Sequence, residues 1–67
     1  MSKPIVKGPV DGNIFAVMGA VSRALKDAGQ RDKVAEMQER VTSSRSYEEA
    51  LRVCVEYVEF DLNAIDF

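Results

Sequence analysis

Few residues in this chain are of the types that perform chemistry. The sequence contains no histidine, which removes the commonest general base, the commonest metal ligand and every imidazole-dependent triad. Its single cysteine, Cys54, lies in an apolar run and not beside a cation. That setting is typical of an inert buried thiol and not of a nucleophile or a zinc ligand. We therefore predict that the protein is not an enzyme and has no catalytic residue.

Carboxylates are the next candidates. Glu56, Glu59, Asp61 and Asp66 make the C-terminal part acidic, and paired carboxylates can do acid–base work, but a solvated acidic surface is the better interpretation where no pocket is predicted. The turn at residues 11–13 lacks the ligand spacing of a calcium loop, and the glycines match neither nucleotide-binding pattern. We predict no metal site and no cofactor.

A basic cluster surrounds the junction of the first two predicted helices and comprises Arg23, Lys26, Arg31 and Lys33. It is the best candidate for a nucleic-acid patch. The second helix, however, interleaves three carboxylates with its basic residues, and the whole chain carries a net charge of −2. A solvated face is therefore the preferred interpretation, and nucleic acid is an unfavoured partner.

Two aromatic residues offer a different kind of surface. Phe15 falls beside the main apolar face of the first predicted helix, and Tyr57 lies among acidic positions. Each is expected to flank the core, because helices of small domains bury a wide stripe. If both are exposed and contiguous, they mark a protein-docking patch.

The pattern along the chain predicts one small domain over residues 1–67. Pro4 and a Gly-Pro pair bracket a β-branched stretch, which predicts an extended segment over 4–8. Turn formers then precede a helix over 13–28, which ends where Gly29 can adopt a left-handed conformation. A second amphipathic helix covers 31–42. Ser46 and Glu49 form a capping box that begins a third helix over 47–57. Alternation of apolar and acidic residues predicts a second extended segment over 58–62.

Each predicted helix has one apolar face, which is expected to form the core. The inward residues are Ile14, Val17, Met18, Val21, Leu25 and Ala28 on the first helix, Val34, Met37 and Val41 on the second, and Tyr47, Ala50, Leu51, Cys54, Val55 and Val58 on the third. Another side of the first helix carries small residues spaced by four, namely Gly12, Ala16, Ala20 and Ala24. They would let a further backbone segment approach closely.

These elements predict a mostly helical α+β fold. Three short helices pack together, and the two terminal extended segments pair as a small ribbon, because a lone strand leaves its backbone groups unmatched. The alternative is a pure three-helix bundle.

The chain also resembles a group of short hypothetical proteins of bacteria, notably Firmicutes, and of their phages and plasmids. The resemblance covers nearly the whole length and depends on the words DGN-x-F at 11–15, RAL-x-x-AG at 23–29, SY-x-EAL at 46–51 and EYVE at 56–59. It implies a cytoplasmic protein of mobile-element origin and transfers no catalytic residue. Its N-terminal strand matches Ile5 and Val6, whereas Gly8-Pro9 departs from a smooth strand.

The function favoured by the sequence is that of a non-enzymatic protein-interaction module, with self-association included because a 67-residue chain has little core of its own. The alternative is a small nucleic-acid-associated regulator. A lone cysteine excludes an intramolecular disulfide, and neither a signal peptide nor a membrane segment is recognisable, so we expect a cytoplasmic location and no membrane partner.

Overall fold

The computed structural model describes residues 3–8, 10–61 and 65–66. Three helices follow two short strands, and two further strands follow the helices. The elements are β1 (Ile5–Val6), β2 (Val10–Asp11), α1 (Ile14–Asp27), α2 (Asp32–Thr42), α3 (Tyr47–Tyr57), β3 (Glu59–Phe60) and β4 (Ile65–Asp66). The predicted fold class, mostly α with a small ribbon, is confirmed, and the alternative of a pure three-helix bundle is wrong.

The two ends of the chain meet in a pair of parallel ribbons. β1 pairs with β3, with Val6 in register with Phe60, and β2 pairs with β4. The amide of Asp61 donates to the Val6 carbonyl at 3.0 Å. The strands run parallel because the helices carry the chain back to its starting edge, which a tight hairpin could not do. The extended segments predicted over 4–8 and 58–62 contain β1 and β3, although residue 62 lies outside the described residues.

Side-chain caps fix where α1 begins. The Asn13 carboxamide oxygen accepts a hydrogen bond from the Phe15 amide at 2.8 Å, and the Asp11 carboxylate accepts one from the Asn13 amide at 2.9 Å. Such bonds satisfy amides that have no partner in the first turn of a helix. The turn formers predicted before the first helix therefore act as its cap.

The end of α1 follows from one glycine. Gly29 has a φ of +75°, a conformation that costs an L-residue with a side chain about 1–2 kcal/mol. The Gln30 amide then donates to the Leu25 carbonyl at 2.8 Å and the Gly29 amide to the Lys26 carbonyl at 3.1 Å. These two bonds form a Schellman motif and satisfy carbonyls at the helix end.

The capping box predicted for α3 is present with one difference. The Ser46 hydroxyl accepts from the Glu49 amide at 3.1 Å, as expected. The Glu49 carboxylate, however, accepts from the amide of Arg45 at 3.2 Å, one residue before the serine. The box therefore also holds the end of the α2–α3 loop in place.

One core joins all three helices to the ribbon. Its buried members are Val6, Val17, Val21, Leu25, Val34, Met37, Val41, Ala50, Val53, Cys54 and Val58. On α3 the prediction was wrong at Tyr47 and Val55, which are 38% and 47% exposed, whereas Val53 is buried. On α1, the predicted inward residue Ala28 is exposed. The buried face of α3 centres on Ala50 and Cys54, and Val55 lies about 100° further round the helix than Cys54.

The small residues of α1 receive the strands. Ala20 and Ala24 are partly buried against the core and border a cleft with Ile5, Val6 and Val10. β1 and β2 therefore lie beside this side of the helix. With its strand-facing side and its core face both covered, α1 keeps only its outer side for other contacts.

Candidate protein-docking site

The groups singled out for chemistry do not converge. Cys54 is fully buried, and burial raises the pKa of its thiol, which disfavours the nucleophilic thiolate. Among residues 3–8 and 10–61, no three cysteine or carboxylate side chains come close enough to hold a metal ion. Every buried side-chain polar atom in the same part of the chain has a hydrogen-bond partner.

A groove of about 440 Å³ opens where the start of α1 meets the α2–α3 loop and the first turn of α3. We call it the α1/α3 groove. Its lining is largely apolar and its rim carries hydroxyl groups and one cation; the lining residues are Ile14, Phe15, Met18, Val41, Thr42, Ser44, Arg45, Ser46, Tyr47 and Ala50. Apolar concavities of this size with a few polar groups are typical of binding sites.

Phe15 stands at the edge of this groove and is 72% exposed. Its position follows from the Asn13 cap, since a helix beginning at Ile14 turns Val17, Val21 and Leu25 into the core and leaves Phe15 outside. An exposed phenylalanine beside an apolar groove extends the apolar surface that a partner could cover.

Tyr47 forms the opposite wall of the α1/α3 groove. It is 38% exposed, and its hydroxyl donates a hydrogen bond to the Gly12 carbonyl. This bond connects the first turn of α3 with the residues that precede α1. The bond therefore joins the two sides of the groove.

Arg45 supplies the charge at the rim. Its amide is bonded to Glu49, while no hydrogen bond or ion pair of its guanidinium occurs within the described part of the chain. A cation without a carboxylate partner beside an apolar groove favours a ligand that carries a negative charge. The sequence interpretation missed both Arg45 and the groove role of Tyr47. The polar break before Ser46 was the available signal, since it places a loop beside the start of α3.

Tyr57 lies in a separate, more polar depression with Lys3, Arg40 and Glu56. Arg40 binds the Glu56 carboxylate through both terminal nitrogens, at 2.9 Å and 2.8 Å, and donates to the Tyr57 hydroxyl at 3.3 Å. This guanidinium lowers the pKa of Glu56. Lys3 donates to the Val55 carbonyl at 2.8 Å. These contacts join α2, α3 and the N-terminal segment.

The two aromatic residues predicted as one patch are therefore not brought together in one depression. Phe15 borders the α1/α3 groove and Tyr57 the polar depression. Tyr57 is half-buried, and its ring makes a cation–π contact with Arg40. The Arg40 guanidinium carbon lies 5.7 Å from the ring centroid.

The predicted basic cluster is exposed but dispersed. Arg23 borders the cleft between α1 and the strands, and Lys33 borders the polar depression. Lys26 and Arg31 are exposed and line neither of these depressions. Carboxylates of Asp27 and of α2 are interspersed with these four cations along the sequence.

No helix in the described part of the chain is both long enough and apolar enough to cross a membrane. No family model, no curated protein and no solved structure matches the chain. Functional inference therefore depends on the surface itself.

Proposed function

We propose that the protein is a non-enzymatic protein-interaction module that binds an amphipathic segment of a partner protein in the α1/α3 groove. The observation that carries this proposal is the 72% exposure of Phe15 at the edge of an apolar groove. Large aromatic side chains that become covered on binding contribute most of the affinity of many interfaces. A single exposed apolar side chain is common on protein surfaces, but one that continues an apolar groove enlarges the surface that a partner can cover.

The chemistry of the groove specifies the segment. Its floor of Ile14, Met18, Val41 and Ala50 accommodates one or two large apolar side chains, in the manner of a helix docked in a groove. Arg45 at the rim has no ion pair among the described residues and favours a carboxylate beside them. The expected ligand is therefore an acidic amphipathic segment with an aromatic or aliphatic anchor.

The setting of this activity is part of the proposal. A single cysteine that is fully buried suits a reducing cytoplasm. The resemblance to short bacterial, phage and plasmid proteins adds an origin in a mobile element. Both remain proposals that location experiments in a bacterial host can test.

A small nucleic-acid-associated regulator is the competing function. It is favoured by the exposure of Arg23, Lys26, Arg31 and Lys33, none of which has a side-chain partner among the described residues. It is disfavoured by the interspersed carboxylates, which repel phosphates. Double substitution of Arg23 and Lys26 by glutamate separates the two functions, since neither residue lines the α1/α3 groove.

The test is a display selection of random peptides of about 12 residues, long enough for three helical turns. Peptides are selected on the wild-type protein and depleted on Phe15→Asp. We expect the recovered peptides to combine a large apolar residue with aspartate or glutamate. Their affinity should fall about tenfold for Phe15→Ala and by a smaller factor for Arg45→Glu, as measured by isothermal titration.

Val55→Ala is the matched control, because Val55 is 47% exposed but lies outside the groove; peptide affinity should not change. Failure to recover peptides, or peptides that bind Phe15→Ala as tightly as the wild type, would exclude the proposed site. Binding of duplex or single-stranded DNA that is lost in the double glutamate variant would establish the competing function.

A further inference from the structure

The second ribbon leads the chain towards the α1/α3 groove. β4 runs parallel to β2, with Asp66 in register with Asp11. β2 is followed directly by Gly12, whose carbonyl accepts the hydrogen bond from the Tyr47 hydroxyl at the groove wall. Because the two strands run in the same direction, β4 also points to the side of the molecule where the groove opens.

We infer that Phe67, the residue that follows β4, docks in the α1/α3 groove of its own chain and competes there with the partner segment. Phe67 lies outside the described residues, and its place is inferred from the register of β4. The inference rests on the proposed function, because it assigns a regulator to the same groove.

The register delivers position 67 to the groove. Continued by one residue, the pairing of β4 with β2 brings position 67 beside Gly12, at the spacing of about 5 Å that separates neighbouring strands. Alternate positions of a strand share one face of a ribbon. Val10, in register with position 65, is partly buried against the core. Position 67 therefore shares the face of the ribbon that is turned towards the helices.

The chemistry of this segment matches that of the groove. The groove has an apolar floor and carries Arg45 at its rim. Phe67 is an aromatic residue of the kind that anchors in such a site. Residues 59–67 contain three carboxylates and no lysine or arginine, so the charge of the segment is opposite to that of the rim.

Attachment to β4 makes a weak contact sufficient. A ligand held beside its site by a short tether has an effective concentration on the order of millimolar. A contact of about millimolar intrinsic affinity would then be formed in about half of the molecules. The apparent affinity of the groove for a partner falls by the fraction of molecules in which the groove is filled. A partner segment must therefore displace Phe67.

The first test is NMR of the full-length protein with isotope-labelled methionine methyl groups, without any ligand. Met18 lines the groove, whereas Met37 is fully buried and does not line it. A phenyl ring shifts the resonance of a methyl group that lies over its face upfield. Phe67→Ala should therefore move the Met18 methyl resonance downfield and leave that of Met37 in place.

The second test is the affinity for peptides selected on the groove. Phe67→Ala should bind them several-fold more tightly than the wild type, which is the opposite of the effect expected for Phe15→Ala. Ile5→Ala is the matched control, because Ile5 is 56% exposed on the other ribbon and does not line the groove. It should change neither readout. Circular dichroism should show the same helix content in all three variants.

An unchanged Met18 resonance in Phe67→Ala overturns the inference, and so does an unchanged peptide affinity. A Met18 shift that grows with protein concentration also overturns it, because the docked residue would then come from a second copy of the chain. The proposed function fails separately, when no peptide that depends on Phe15 is recovered. The NMR test needs no peptide and therefore distinguishes the two failures.

Discussion

Arg40 is the residue that connects most parts of the polar surface. Its guanidinium forms a two-bond ion pair with Glu56 and also contacts the ring of Tyr57. Hydrogen bonding to Glu56, the largest cause, raises the pKa of Arg40, and the same bond lowers the pKa of Glu56. Bidentate arginine–carboxylate pairs fix geometry as well as charge. The contact therefore sets how the end of α3 lies against α2.

This pair makes stability depend on pH. Because the pKa of Glu56 is lower in the folded state than its usual value of 4.5, folding favours the ionised carboxylate. The contribution is present above the usual pKa and is lost as the pH falls through the lowered, folded-state pKa. The wild type should therefore have a higher thermal midpoint than Glu56→Gln at about pH 7, and the difference should shrink as the pH falls through the lowered pKa of Glu56.

Glu36→Gln is the control, since Glu36 borders the same depression without an ion pair among the described residues. Its midpoint should follow the wild type over the whole pH range. A difference between wild type and Glu56→Gln that stays constant with pH would show that the pair does not act through ionisation.

Individual surface residues were the hardest to predict. Phe15 and Tyr57 were both recognised as unusual aromatic positions, yet sequence spacing does not show that Arg40 engages one ring and that nothing covers the other. Arg45 was not singled out, because its importance comes from the groove beside it. Surface roles of this kind depend on contacts between elements distant in the sequence.

Local hydrogen bonds set where the helices end. Two glycines, one inside α1 and one just after it, can be substituted to separate the effect of helix propensity from that of a left-handed backbone conformation. Gly19 lies inside the helix and Gly29 just beyond it, and an added Cβ meets no atom within 4 Å at either position. They differ in backbone conformation, since Gly29 has a φ of +75°. Gly19→Ala should raise the free energy of unfolding by about 0.5–1 kcal/mol, and Gly29→Ala should lower it by about 1 kcal/mol.

Urea unfolding at micromolar protein concentration measures both variants. Equal effects of the two substitutions would contradict the assignment of Gly29 as the left-handed end of α1. A loss of stability in Gly19→Ala would contradict the open space found around that position.

The helices were the most predictable part of the fold because their signals are local. Asn13, Gly29 and Ser46 each act through backbone groups within five residues, so the sequence contains the whole interaction. On α3, residues 53–55 are all apolar, so their pattern does not show which side of the helix faces the core. The sequence therefore predicts Val55 as a core residue, whereas Val53 is buried. Periodicity alone cannot place a helix face when both sides carry apolar residues.

At the scale of the whole molecule, the N-terminal strand is part of the same core as the helices. Val6 is 4% exposed, whereas its neighbour Ile5 is 56% exposed. Val6→Ala should therefore cost about 2 kcal/mol of unfolding free energy, and Ile5→Ala less than about 0.5 kcal/mol. Urea unfolding followed by circular dichroism and by tyrosine fluorescence should give coincident transitions for both.

If Val6→Ala were as mild as Ile5→Ala, β1 would be an appendage and not a member of the core. Separate transitions by the two probes would show that α3, which carries both tyrosines, unfolds independently of the other helices.

Pairing of the two terminal extended segments was predicted from the cost of unmatched backbone groups, but the second ribbon was not. Val10 and Asp11 lie between the extended segment predicted over 4–8 and the helix predicted over 13–28, and the pairing of Val10–Asp11 with Ile65–Asp66 spans almost the entire chain. No local pattern reports such a contact. The parallel direction likewise follows only once the helices are known to lie between the paired strands.

The burial of Cys54 gives the protein an internal reporter of its own opening. Its thiol is the only one in the chain and has no exposed surface in the folded state. Alkylation by a small reagent can therefore occur only through molecules that have transiently opened, and its rate measures how often they do so. In an oxidising environment the same opening would allow two chains to be joined through their sulfur atoms, so the integrity of the fold also guards against covalent cross-linking.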